Sequence, residues 1–171
     1  QKVVKAYEHL LQHDHRKIAY ITDFKEKVLA RDVVGGYREA YAKYGIKPNE
    51  DLLRLGVVEP YDEISKFMDE FPEVTGYIVQ SIFFGPFVYL AREKGLSIPD
   101  MASVIVFNDV GLDSLQRKHY THLPSSARET GEIAVRSLIK LANSEIKKIN
   151  IQVSTELCRR HTVSRVKQVN L

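Results

Sequence analysis

The chain lacks tryptophan and has a single cysteine, Cys158, among its 171 residues. One cysteine excludes an internal disulfide framework and is typical of a protein kept in a reducing cytoplasm. No apolar run approaches the roughly 18 residues that a membrane-spanning helix needs. The first residues, QKVVKAYEHLL, have the spacing of an amphipathic helix rather than of a signal peptide. We therefore expect a cytoplasmic protein without membrane contacts.

The chain has only a small excess of positive charge. Its net charge is +3, and its basic residues form no stripe along the sequence. Composition by itself therefore does not indicate nucleic-acid binding. Apolar residues make up 44% of the chain and charged residues 27%, which is typical of a globular protein. The chain starts at Gln1 without an initiator Met or a leader, so we expect a fragment of a longer protein.

Apolar spacing predicts helices and strands in alternation along the first two thirds of the chain. The predicted helices span 2–13, 30–44, 61–71 and 82–94, and the predicted strands span 17–22, 52–58, 75–80 and 102–107. This alternation indicates an α/β fold with a doubly wound parallel sheet. The remaining sequence predicts a short extended piece at 120–123, a helix at 126–143 with Ser126 and Glu129 as a capping box, and strands at 149–153 and 156–160.

Polar side chains follow several of the predicted strands. In a parallel sheet the ligand crevice lies beyond the carboxyl ends of the strands. Those ends carry Thr22, Asp23 and Phe24, then Val58 and Glu59, Gln80 and Ser81, and Asn108 and Asp109. The sequence therefore places a candidate ligand site at this edge of the sheet.

The stretch HLLQHDHRKIAYITD raises the question of a metal site, because His9 and His13 are four residues apart on a predicted helix. No third ligand follows at a defined distance, and no H-E-x-x-H glutamate is present. The competing interpretation is structural: His13, Asp14 and His15 close the helix, with Asp14 in a left-handed turn. A metal-dependent hydrolase is the weakest function that these residues leave open.

No enzyme motif emerges elsewhere. Asp109 and Asp113 are a possible carboxylate pair, but neither G-x-S-x-G nor a P-loop occurs. Gly35 and Gly36 lie inside a predicted helix, and Cys158 has no C-x-x-C partner. We therefore predict that the protein is not an enzyme and has neither catalytic residues nor a cofactor.

Five segments follow one another along the chain: HLLQHDHRKIAYI, GGYREAYAKYGI, REKGLSIPDMASVIVFND, YTHLPSSARETGEIAVRSLIKL and LCRRHTV. Together they resemble the lactose/galactose repressor family of bacterial transcription regulators. Several linked segments that cover nearly the whole chain are more specific than any one of them. The resemblance also favours the structural interpretation of the histidine-rich stretch and implies no metal.

The resemblance implies the carboxyl-terminal part of a two-lobed, periplasmic-binding-protein-like effector domain. Residues 1–124 and 156–171 would form the second lobe, and 125–155 would belong to a partial first lobe. Operator DNA would be bound only through an amino-terminal headpiece outside this chain, and the partner in the crevice would be a small-molecule effector, a sugar or sugar derivative. A periplasmic or lipid-anchored sugar-binding protein of the same fold is the alternative.

Ligand-binding residues carried over from the resemblance are Arg31, Gln80, Ser81, Asn108, Asp109 and Ser125. The family's sugar-binding arginine, three residues before the helix glycine, corresponds to Val33 here. Val33 cannot form the bidentate contacts of a guanidinium, whereas Asn108 and Gln80 can still bind hydroxyl groups.

Two apolar surfaces predict self-association. Helix 82–94 carries Ile82, Phe83, Phe84 and Phe87 almost consecutively, more than one helical stripe can bury. Helix 126–143 carries a second stripe, which the first lobe would cover in the intact fold. We therefore expect a homodimer with twofold symmetry.

Overall fold

Five parallel strands form the central sheet in the order β2-β1-β3-β4-β5. The structure is a computed structural model, and it describes residues 1–166. The strands are β1 (Ile18–Thr22), β2 (Leu53–Leu55), β3 (Gly76–Gln80), β4 (Ser103–Phe107) and β5 (His122–Leu123). β1 and β4 are buried throughout, as expected of inner strands whose residues are mostly apolar. The predicted α/β class with a doubly wound parallel sheet is confirmed.

Helices cover both faces of this sheet. The helices that pack on it are α1 (Lys2–Gln12), α2 (Lys27–Lys43), α3 (Pro60–Glu70) and α4 (Phe84–Glu93); α5 (Ser114–His119) and α6 (Ala127–Ala142) contribute no residue to either core. α1 and α2 pack with Ile18, Tyr20 and Ile105 on one face. α3 and α4 pack with the alternate strand residues on the other face. Both cores are continuous because each strand contributes side chains to the two faces in turn.

Two backbone positions match the reasoning from sequence. Asp14 has φ 67°, so it forms the left-handed turn that ends the first helical segment. Gly36 lies inside α2, where an added Cβ would stand 2.8 Å from the Cβ of Val3 on α1. The close packing of α1 on α2 therefore depends on a glycine at this position.

Three predicted elements differ from the structure. The strand predicted at 52–58 is limited to Leu53–Leu55, because Gly56 turns the chain with φ 74°. The strands predicted at 149–153 and 156–160 are wrong, and within residues 1–166 this segment contributes only an isolated antiparallel bridge between Cys158 and His122. A strand needs a partner edge, and the two-residue β5 offers little of one.

The predictions also differ from the structure at two helices, α6 and α5. α6 does follow Ser126, but the predicted capping box with Glu129 is wrong: Ser126 has φ −92° and ψ 14°, and its side chain caps no backbone N–H. α5 was not predicted, because its six residues, SLQRKH, show no apolar period. Its signal is a capping box formed by Asp113 and Gln116.

Helix α6 buries little of its own apolar stripe. Ser137 is its one buried residue, and Val135, Leu138, Ile139 and Leu141 are all exposed. Across residues 1–166, no helix has the length and apolar character required to cross a membrane.

The segment that follows α6 returns to the sheet. The Thr162 Oγ1 hydroxyl donates to the Val104 carbonyl at 2.7 Å, and the Val104 N–H donates to the Thr162 carbonyl at 2.7 Å. The Ser164 carbonyl lies 3.0 Å from Nε2 of His15. The last described residues therefore complete the hydrogen bonding around the beginning of β4.

Candidate ligand-binding site

A cavity of about 750 Å³ opens between α1 and α2 beside the carboxyl ends of β1 and β4. Its apolar wall includes Phe24, just after β1, and Phe107, the last residue of β4. Val33 and Gly36 contribute from α2, and residues 152–155 line another side. This volume lies in the range of small-molecule pockets, so the carboxyl edge of the sheet can hold a ligand.

Gln80 ends β3, but its side-chain oxygen already has partners. Oε1 accepts a short hydrogen bond from the Thr22 hydroxyl and a second one, at 3.2 Å, from the Asp23 N–H. Thr22 Oγ1 in turn accepts from the Phe24 N–H at 3.2 Å. Gln80 therefore ties the ends of β1 and β3 together and fixes the loop that carries Phe24.

Asp109 and Ser125 come together. The Asp109 Oδ1 accepts the Ser125 N–H at 2.7 Å, and its Oδ2 forms an ion pair of 3.0 Å with Nε of Arg117. Arg117 also donates to the Asp109 carbonyl at 3.1 Å. The carboxylate is 16% exposed, and its contacts fasten the chain where it leaves β5.

Two lysines on α1 bind neighbouring segments. The Lys2 Nζ donates to the Pro124 carbonyl at 3.0 Å, and the Lys5 Nζ donates to the Thr155 carbonyl at 2.9 Å. Lys5 also forms an ion pair of 2.6 Å with Glu156. Partial burial lowers the pKa of Lys2, and the nearby Asp109 carboxylate acts in the opposite direction. Both lysines also line the cavity.

The other predicted site residues are arranged more loosely. Arg31 lines the cavity, with an exposed side chain 4.0 Å from the carboxylate of Asp32. Ser81 begins the 3-10 turn Ser81–Phe83, and Asn108 follows β4 with φ 61°. Among the six predicted residues, Arg31 is the one that lines the cavity. Gln80, Ser81, Asn108, Asp109 and Ser125 lie around the strand ends beside it.

Reasoning from the sequence missed the aromatic part of this site. Phe24 was placed at the end of the first predicted strand and Phe107 in the fourth, but neither was predicted to contact a ligand. Lys2 and Lys5 were missed because their contacts with Pro124 and Thr155 join residues more than 100 positions apart. Such contacts carry no local sequence pattern.

The histidine-rich stretch has structural partners. The His13 Nδ1 lies 2.7 Å from the His9 carbonyl, and the His15 Nδ1 lies 2.9 Å from the Thr75 hydroxyl. Burial lowers the pKa of His9 to about 4 and also lowers that of His15. In the part of the chain that the structure describes, no three His, Cys, Asp or Glu residues are grouped to hold a metal ion.

Sequence comparison finds a domain family and several transcription regulators to which this chain is similar. The family described as "Periplasmic binding protein-like domain" matches residues 7–163. The HTH-type transcriptional repressor PurR of Mannheimia succiniciproducens is 25% identical over 167 residues, which cover 94% of this chain and 50% of that protein. The HTH-type transcriptional regulator RegA of Clostridium saccharobutylicum is 29% identical over 160 residues, covering 90% and 48%. The chain thus spans about half the length of the curated relatives it matches.

Structural comparison agrees on the fold. The Escherichia coli transcriptional repressor ascG superposes with a TM-score of 0.82 at 21% identity, over 96% of this chain and 61% of that one. A dimeric Lac repressor with an 11-residue C-terminal deletion gives a TM-score of 0.82 at 19% identity, over 97% and 62%. Because the family match extends over most of the sequence and the fold agrees, the chain belongs to the periplasmic-binding-protein-like domain family, in the form found in transcription regulators of the lactose-repressor family.

Proposed function

We propose that this chain is the effector-sensing part of a cytoplasmic, DNA-binding transcriptional repressor that responds to a small molecule, a sugar or sugar derivative. The observation that carries the proposal is the arrangement around the cavity. Lys2 and Lys5 line it, and the same two side chains bind the carbonyls of Pro124 and Thr155. A ligand that moves α1 would therefore also move both ends of residues 125–155.

Those residues are the ones that we assign to a first lobe. In this proposal 1–124 and 156–171 form the second lobe, of which 167–171 lie outside the described residues. The exposed apolar stripe of α6 supports this division, because several exposed Leu, Ile and Val side chains are costly unless another element covers them. Effector binding would then change the angle between the lobes and so the position of a DNA-binding headpiece.

We propose a homodimer as the working form. Tyr61 and Tyr89 are each more than half exposed, with ring centroids 6.0 Å apart, and Ile82 is also exposed. These residues give α3 and α4 an apolar outer surface of the kind that marks interfaces. Tyr89→Lys should shift the whole protein from dimer to monomer in sedimentation. Tyr44→Lys, which changes a less exposed tyrosine at the end of α2, should not.

DNA binding tests the central proposal. The full-length protein should select a specific sequence from a pool of random duplexes, and this chain alone should select none. The chain lacks a recognition-helix pattern and has a net charge of only +3. Specific selection by the chain alone, or no selection by the full-length protein, would overturn the proposal. The regulators among the relatives favour this function over a transport component of the same fold.

A further inference from the structure

Two basic tripeptides that are far apart in the sequence lie side by side in the structure. RKH, residues 117–119, ends α5, and RRH, residues 159–161, lies in the segment that returns after α6. The His161 N–H donates to the His119 carbonyl at 3.0 Å, and the centroids of their imidazole rings are 5.7 Å apart. The two tripeptides therefore form one surface, which we call the basic surface: Arg117, Lys118, His119, Arg159, Arg160 and His161.

Arg160 holds the two tripeptides together at the outer edge of the sheet. Its N–H donates at 2.9 Å to Oγ1 of Thr121, which directly precedes β5, and its Nε donates at 3.3 Å to the Arg117 carbonyl. All six residues of the basic surface are exposed, and none of them lines the cavity. The basic surface is therefore separate from the proposed effector site.

The basic surface has few carboxylates to balance its charge. Asp109 pairs with Arg117 at 3.0 Å. Within residues 1–166, no carboxylate forms an ion pair with Lys118, Arg159 or Arg160. Four formally positive side chains thus meet one carboxylate, which leaves a local excess as large as the net charge of +3 of the whole chain. Like charges at this density repel one another, and an anionic partner relieves the repulsion.

A structural role explains only part of this surface. Cations stabilise the carboxyl end of a helix, and Arg117 and Lys118 stand in the last turn of α5. Arg160 binds a carbonyl near the same helix end. The Arg159 side chain, by contrast, forms neither a hydrogen bond nor an ion pair in the part of the chain that the structure describes, and Arg159 lies outside any helix. Helix capping therefore leaves Arg159 and the excess charge unexplained.

We infer that the basic surface binds an acidic segment of another protein, whose Asp or Glu carboxylates pair with Lys118 and Arg159. A guanidinium group matches a carboxylate with two parallel hydrogen bonds. Duplex DNA is less favoured, because proteins that bind its backbone commonly contact roughly six to ten phosphates. The basic surface has four formal charges, one of them already paired with Asp109. The inference goes beyond the proposed function and does not depend on it.

A fluorescein-labelled poly-L-glutamate peptide tests the inference. Its binding to the full-length protein is measured by fluorescence anisotropy at low ionic strength, where charge pairing is least screened. Lys118→Glu/Arg159→Glu reverses two exposed charges and should weaken peptide binding about tenfold or more. Lys47→Glu/Lys66→Glu is the matched control, because it changes the net charge equally at two exposed lysines that form no ion pair within residues 1–166. Its affinity should stay within about twofold of the parent protein.

Three results would overturn the inference. The first is absence of peptide binding by the parent protein. The second is similar affinity of the two double variants, since binding would then not depend on the basic surface. A random-sequence duplex titrated in parallel gives the third: if Lys118→Glu/Arg159→Glu weakened duplex binding as much as peptide binding, or more, the surface would bind polyanions or nucleic acid. Selection of a specific DNA sequence by the full-length protein tests the proposed function separately.

Discussion

Asp109 holds the backbone of Ser125 across 16 residues of sequence, with its Oδ1 2.7 Å from the Ser125 nitrogen. The same carboxylate pairs with Arg117, so one side chain joins the end of β4, helix α5 and the segment that leaves β5. The two residues were predicted as ligand contacts. In the structure they form a hydrogen bond with each other, and this bond fixes the point where residues 125–155 begin.

Asp109→Ala should lower the free energy of unfolding by about 1.5–3 kcal/mol, the usual effect of losing a hydrogen bond to a charged group. Urea titration followed by circular dichroism measures this change. Asp32→Ala is the matched control, because that carboxylate is mostly exposed and lies 4.0 Å from its partner, Arg31. Its effect should stay within about 0.5 kcal/mol. A similar loss in both variants would contradict the anchoring role of Asp109.

Under the proposed function, Asn108→Gly should weaken the effector response of the full-length protein by about tenfold if the Asn108 amide binds the ligand. Glycine is the informative replacement because Asn108 has φ 61°, which glycine adopts without strain. The response is measured as the ligand concentration that releases half of the bound DNA. Asn143→Ala, at the end of α6, is the control and should respond as the parent does. An unchanged response in Asn108→Gly would remove Asn108 from the site.

Gly36→Ala and Gly35→Ala should have opposite effects on stability. A Cβ at Gly36 would meet Val3 at 2.8 Å, and the resulting overpacking should cost about 1–3 kcal/mol. A Cβ at Gly35 has nothing within 4 Å, so the replacement should stabilise α2 by about 0.5–1 kcal/mol through helix propensity. Thermal and urea unfolding of both variants tests the pair. Equal effects would mean that α1 does not pack on α2 in this register.

Stability should decrease as the pH falls from neutral, and His9 should be one cause. Burial, followed by the influence of His13, lowers the pKa of His9 to about 4, whereas an unfolded histidine titrates near 6.5. Between these values the unfolded chain binds a proton that the folded chain does not, so protonation favours unfolding. The lowered pKa of His15 acts in the same direction.

His9→Gln removes one of these groups, and its unfolding midpoint in urea should fall less between pH 7 and pH 5 than that of the parent chain. His161→Gln is the control, because His161 is exposed in the folded chain. The parent slope should persist in this control. If His9→Gln also kept the full slope, His9 would not be buried in its neutral form.

Much of the sheet could be predicted because β1, β3 and β4 are runs of β-branched and aromatic residues, each flanked by a helical period. β2 was overextended because Gly56, with its positive φ, was included in an apolar run. α5 was missed because a helix of six residues depends on its cap, Asp113, rather than on an apolar stripe. Local sequence patterns therefore predict the long helices and strands but miss or misplace the short ones.

The site was predicted only in part, for a different reason. The strand ends could be located from sequence, so Gln80, Asn108 and Asp109 were placed at the correct edge. Their hydrogen-bond partners could not be predicted. The hydrogen bond between Asp109 and Ser125 and that between Gln80 and Thr22 depend on how separate elements pack. Whether a polar side chain faces a ligand or the protein is decided by these contacts and has no signature in the residue type.

The pairing of Thr162 with Val104 has a consequence for biosynthesis. Because β4 obtains these hydrogen bonds from residues nearly 60 positions later, the nascent chain cannot complete them while that segment is still inside the ribosome. The carbonyl of Ser164 likewise reaches His15, which emerges about 150 residues earlier. The helices and β1, β3 and β4 can assemble during translation, but the hydrogen bonds of Val104 must wait for this later segment, and during that interval the beginning of β4 remains open to other chains.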